Sequence, residues 1–134
     1  MESLKRRDFI RGMSLLGVAA GVRPAAASYN PAAKYAVKVS ETGYRRTKAG
    51  RQLMARICEP AGTGPFPVVL DLRSAWNAKD RKAEEPMDRV IAESGVLVVA
   101  VDLTLAPEAP YPACVQDANY AVRWLRTKAA DPAR

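Results

Sequence analysis

Few residues in this chain could carry acid–base or nucleophilic chemistry. The sequence holds no histidine, which removes imidazole proton transfer and histidine-ligated metal from this stretch. Two short constellations remain. One is Arg73-Ser74-Ala75-Trp76-Asn77, a polar and aromatic stretch directly after an apolar run. It has no glycine, which speaks against the Gly-rich turn of a nucleotide-binding βαβ domain. The other is the carboxylate pair Asp102 and Glu108, the second lying within Leu105-Ala106-Pro107-Glu108-Ala109-Pro110-Tyr111-Pro112. Three prolines there remove three backbone donors and force extended or turn conformations, so this is a loop. Asp102 reads as a capping carboxylate rather than a catalytic one, and Glu108 as an acceptor that fixes the loop. Cys58 and Cys114 stand apart with no C-x-x-C arrangement, so no zinc site is suggested. They read as buried free thiols, with a disulfide between them left open for an exported protein.

The elements around these residues follow from periodicity. Residues 96–101 form an unbroken apolar run rich in β-branched side chains, the pattern of a strand buried on both faces. Residues 67–72 read as a strand buried in the same way. Between them, Ala83, Met87, Val90, Ile91 and Ser94 share one helical face. Glu84 and Glu85 favour a helix start, Pro86 fits its first turn and Gly95 its end, which predicts a helix over 84–94. These three elements make a βαβ unit with a right-handed crossover. Pro112 suits the start of a second helix over 114–128, with Val115, Ala118, Val122, Leu125 and Ala129 as its apolar face. Upstream, residues 35–39 and 52–58 alternate and read as strands, the second half exposed. The intervening 42–51, with its glycines and basic residues, reads as a solvated turn, and 60–65 as a loop.

The stretch Val-Asp-Leu-Thr-Leu-Ala-Pro-Glu-Ala-Pro-Tyr-Pro-Ala from Val101, continuing through Asp117-Ala118 to Arg123-Trp124-Leu125, resembles a motif of the hormone-sensitive-lipase-like α/β-hydrolases, which include esterases and lipases. The match is ungapped over about twenty-five residues. It departs at Leu103-Thr104, where the family usually has Tyr-Arg. The resemblance implies an α/β fold, here the N-terminal part of a mostly parallel sheet flanked by helices. It also implies a serine hydrolase acting on a small-molecule carboxylic ester or related acyl substrate, with no cofactor. In that family a serine attacks the carbonyl, a histidine takes its proton, an acid orients the histidine, and backbone N–H groups hold the oxyanion. The serine sits in a G-x-S-x-G turn, which this chain lacks. The family order places that turn roughly ten residues past Arg134, so no catalytic triad residue is expected within the chain.

By the same resemblance the oxyanion loop falls at Arg73, Ser74, Ala75 and Trp76. Where the family has His-Gly-Gly, this chain has only Arg73-Ser74. The family's glycines let two amides converge on the substrate oxygen. Two readings of the loss stand side by side: a weakened or non-catalytic homologue that binds rather than hydrolyses, and a local sequence or reading-frame error. Trp76 reads equally as a substrate contact and as a buried aromatic beneath the loop.

The chain has 134 residues, enough for one domain or a piece of one, and a net charge of +7. Residues 1–27 contribute +3 of this and the rest +4. No basic block with interleaved aromatics is present, which argues against nucleic-acid binding. Residues 1–27 read as a twin-arginine signal peptide. Arg6-Arg7-Asp8-Phe9-Ile10 gives the export motif, residues 13–22 a short apolar core, and Ala25-Ala26-Ala27 the cleavage site. The expected partner is the twin-arginine export machinery, and the expected location is periplasmic or secreted.

Overall fold

The computed structural model describes residues 29–73 and 84–129. Six elements follow in order: β1 (Val37–Arg46), β2 (Gln52–Pro60), β3 (Val68–Arg73), α1 (Glu85–Glu93), β4 (Leu97–Asp102) and α2 (Ala113–Ala129). The strands form one mixed sheet in the order β1-β2-β4-β3. β1 with β2 and β2 with β4 are antiparallel, while β3 and β4 run parallel. The β3–α1–β4 segment is therefore the expected parallel βαβ unit.

Side-chain alternation along the strands divides the core in two. Leu53, Ala55, Ile57, Val99 and Val101 meet Tyr44, Leu103 and Ala121 on the α2 side. Cys58 and Val98 meet Ala92 and Val96 on the α1 side. Cys114 packs with the first group, so the two cysteines lie on opposite faces of the sheet, and both are free. Burial pushes the Cys58 thiol above its ordinary range.

Four expectations are corrected here. First, β1 continues to Arg46, through half of the stretch expected to be a turn. The ladder slips between Gly43 and Arg45, a bulge that leaves Tyr44 buried. Gly43 permits it, because the Gln52 side chain lies 2.5 Å from where a Cβ would stand and donates to the Arg45 carbonyl at 2.8 Å.

Second, β2 is not half exposed. It is an interior strand covered on both faces, with Leu53, Ala55, Arg56, Ile57 and Cys58 all buried.

Third, β3 is not buried like β4. It is an edge strand, as the strand order of the resembled family implies for these residues, and Val68, Val69 and Leu72 are 51%, 43% and 44% exposed.

Fourth, both helices are rotated from their expected faces. On α1, Met87 and Val90 are exposed while Asp88 and Ala92 are buried. The cause is Arg56, a buried arginine on β2. Its guanidinium pairs with Asp88 at 2.8 Å and lies 3.6 Å from Glu85. A charge withdrawn from water needs a partner, and that requirement outweighs the burial of two apolar side chains. On α2, Asp117, Ala121, Trp124 and Leu125 face inward, while Val115 and Val122 are exposed.

The ends of α1 follow their sequence signals. Pro86 lies in its first turn, and Gly95 follows with φ +90°. The Tyr35 ring stands 2.9 Å from where a Cβ at Gly95 would be, so glycine is required on two counts.

Candidate active site

In an open α/β sheet, ligands bind outside the carboxyl ends of the parallel strands. Here that edge is where β3 and β4 end, with Arg73 opposite Asp102 in the ladder. Two segments of chain follow these residues. The first begins with Ser74, Ala75, Trp76 and Asn77, all of which lie outside the described residues, as do Arg6 and Arg7. The second is the loop of residues 103–112.

The structure brings this second loop under several restraints. Asp102 uses both backbone and side chain. Its carbonyl accepts the Tyr44 hydroxyl at 2.5 Å, and its carboxylate accepts the Met54 N–H at 3.2 Å. Asp102 thereby locks the end of β4 to β1 and β2. Leu105 starts a turn, its carbonyl accepting the N–H groups of Glu108 at 2.9 Å and Ala109 at 3.3 Å. Pro107 lies exposed within that turn. The Glu108 carboxylate meets the Arg51 guanidinium at 2.6 Å, and the same guanidinium donates to the Leu103 carbonyl at 3.2 Å. From the helix side, Asp117 accepts the Thr104 N–H at 2.6 Å and pairs with Arg45 at 2.7 Å. Arg45 lies over the Tyr120 ring, 5.1 Å from its centre.

These contacts set the local electrostatics. The Arg51 hydrogen bond holds the Glu108 carboxyl below the usual carboxylate range, and Glu108 in turn raises Arg51. Burial, followed by the nearby charges of Asp117 and Asp102, pushes the Tyr44 phenol well above its ordinary value. Tyr44 is thus held neutral as a donor.

Sequence reasoning placed Asp102, Pro107 and Glu108 in this loop, but it missed Tyr44, Arg45, Arg51 and Asp117. Asp117 had a signal, since it falls within the matched stretch. The two arginines and the tyrosine carry none, because residues 42–51 read as a solvated turn by their glycines and basic residues.

An open cavity of about 430 Å³ lies elsewhere, between α2 and the sheet. Leu97 and Val99, Trp124, Leu125 and Lys128 help line it, which places it toward the amino end of β4 and away from the carboxyl edge. Among the described residues, no group of three His, Cys, Asp or Glu side chains could hold a metal ion. What the edge offers chemically is a fixed platform, with Asp102 and Glu108 both engaged in holding it together.

The family model BD-FAE matches residues 57–132, more than half of the chain. The chain belongs to this family. It is one of the hormone-sensitive-lipase-like α/β-hydrolases. The carboxylic ester hydrolase LipN of Mycobacterium tuberculosis is 30% identical over 82 residues, covering 60% of this chain and 22% of LipN. The carboxylesterase NlhH of the same organism is 39% identical over 75 residues, 52% of this chain and 24% of NlhH. Among solved structures, a bacterial heroin esterase superposes with a TM-score of 0.61 at 26% identity, covering 73% of this chain and 33% of that one. A hyperthermophilic esterase from Pyrobaculum calidifontis gives 0.57 at 29% identity, covering 66% and 28%. Brefeldin A esterase, a bacterial homologue of human hormone-sensitive lipase, shares the fold at 22% identity with a TM-score of 0.54, over 71% of this chain and 28% of that one. The chain spans about a quarter of the length of the curated relatives it matches.

Proposed function

We propose that these residues are the amino-terminal part of an exported carboxylic-ester hydrolase, acting on a small-molecule ester by serine catalysis. The observation that carries this reading is the 39% identity with a carboxylesterase over 75 residues, 52% of this chain. In this reading the nucleophilic serine, the acid and the histidine come from sequence beyond residue 134. Residues 28–134 alone turn over no ester, because they contain no histidine to accept the serine proton. The test compares residues 28–134 with the product of the gene read past codon 134, in all three frames. Each is assayed with p-nitrophenyl butyrate and a fluorophosphonate label. Turnover and labelling by the longer product alone support the reading. Turnover by residues 28–134 that Ser74→Ala abolishes overturns it, and so does unrelated sequence in every frame.

A second reading, a binding protein on the same scaffold, is favoured by one feature: Arg73-Ser74 stands where the resemblance implies His-Gly-Gly. Losing one good oxyanion donor lowers rates by roughly two to three orders of magnitude. A longer product that carries G-x-S-x-G and a late histidine, and that takes up the label, argues against it. Export rests on Arg6-Arg7-Asp8-Phe9-Ile10. Changing both arginines to lysine in a reporter fusion should hold the reporter in the cytoplasm, and periplasmic reporter would refute twin-arginine export.

A further inference from the structure

We infer that Arg51 and Asp117 are positioning residues that clamp the 103–110 loop from opposite sides, as one wall of the site at the carboxyl edge. Describing the loop as a wall rests on the hydrolase reading above, whereas the clamp itself does not. Arg51 comes from the end of the β1–β2 turn and Asp117 from the first half of α2, so neither is local to the loop. Arg51 spans it, donating from Nε to the Glu108 carboxylate at 2.8 Å and from Nη2 to the Leu103 carbonyl at 3.2 Å. Asp117 holds the intervening Thr104 N–H at 2.6 Å. The Asp117 side chain is only 4% exposed, and its second oxygen meets Arg45 at 2.7 Å. A buried carboxylate with one oxygen on a backbone amide and the other on a guanidinium has little freedom to move. Because Arg45 is braced over Tyr120 of the same helix, the Thr104 anchor is tied to both α2 and β1. The loop thus has a fixed beginning at Leu103–Thr104 and a fixed middle at Glu108, without needing a core of its own.

A clamp of this kind acts locally, and amide hydrogen exchange distinguishes it from a general contribution to folding. Exchange is read by mass spectrometry on the full chain, a measurement that tolerates self-association, comparing peptides over residues 97–102 with peptides over 103–112. Asp117→Asn and Arg51→Gln should each speed exchange in the loop about tenfold and leave the β4 peptides unchanged. Arg51→Lys should recover part of the protection. If Asp117→Asn loses its far-ultraviolet circular dichroism, Arg51→Gln decides, because its pair faces solvent. Unprotected loop amides in the wild type overturn the clamp. So do loop rates that do not move, or that rise together with those of β4. None of these readouts requires activity, so a failure of the clamp and a failure of the hydrolase reading are separate results.

Discussion

The Tyr44 hydroxyl donates to the carbonyl of Asp102 at 2.5 Å, joining residues 58 positions apart in sequence. The bond ties the bulge in β1 to the point where β4 gives way to its loop. Tyr44→Phe removes the donor to a part-buried carbonyl, which should cost about 0.5–1.5 kcal/mol of stability. Urea denaturation at neutral pH measures this directly.

The same tyrosine sets an alkaline limit. Its phenol is raised in the folded state, chiefly by burial, so folding favours the neutral form. That contribution is intact below the ordinary tyrosine value of about 10 and is lost as pH rises through the native value. Above pH ~10 the wild type should therefore lose stability more steeply than Tyr44→Phe. Parallel curves would show that Tyr44 is not the group responsible.

Arg56 and Asp88 make a buried ion pair, and its two halves should behave very differently apart and together. Arg56→Met alone leaves Asp88 buried without its main counter-charge, at a cost of about 3–5 kcal/mol. Arg56→Met combined with Asp88→Leu should recover most of that loss. Equilibrium denaturation of the two single variants and the double variant gives the coupling, and strict additivity would contradict the pairing.

Glu108 should give a smaller effect of opposite pH sense. Its carboxyl is lowered by Arg51, so its contribution is present above the ordinary glutamate value of about 4.3 and fades as pH falls through the native value. Because the pair faces solvent, Glu108→Gln should cost within about 1 kcal/mol and less in high salt. Thermal melts at pH 7 and pH 3, with and without 1 M NaCl, test both points.

The β3 edge should make the isolated chain self-associate. Val68, Val69 and Leu72 are exposed on an outer strand, and an apolar strand with unpaired backbone groups invites further strands. Sedimentation of residues 28–134 should show assemblies that Val69→Lys and Leu72→Lys reduce. A wild-type monomer with a sharp, cooperative melt would contradict this.

The legible parts of the sequence were those governed by local rules. The apolar run at 96–101, the Pro86 and Gly95 boundaries and the proline-rich loop each state their structure within a few residues. Helix rotation was not legible, because it depends on a partner elsewhere. Met87 and Val90 look like a core stripe until Arg56, 32 residues before Asp88, draws that carboxylate inward. Likewise, by periodicity a valine in β3 reads the same whether its strand is inside the sheet or at its rim, and only the family's strand order implies the open edge. At the candidate site the motif supplied Asp102, Pro107 and Glu108, but their holders Tyr44, Arg45 and Arg51 sit on a hairpin whose basic residues resemble ordinary surface.

The Arg56–Asp88 contact also bears on the gene's history. Any route from this pair to an uncharged contact passes through an intermediate in which one buried charge has lost a counter-charge 2.8 Å away. Selection for a folded product removes that intermediate, so the two codons should change together or stay as they are. A gene released from such selection has no reason to keep them in step. Near-identical copies from related strains, compared only at these two codons, would therefore report whether the encoded protein is still required to fold.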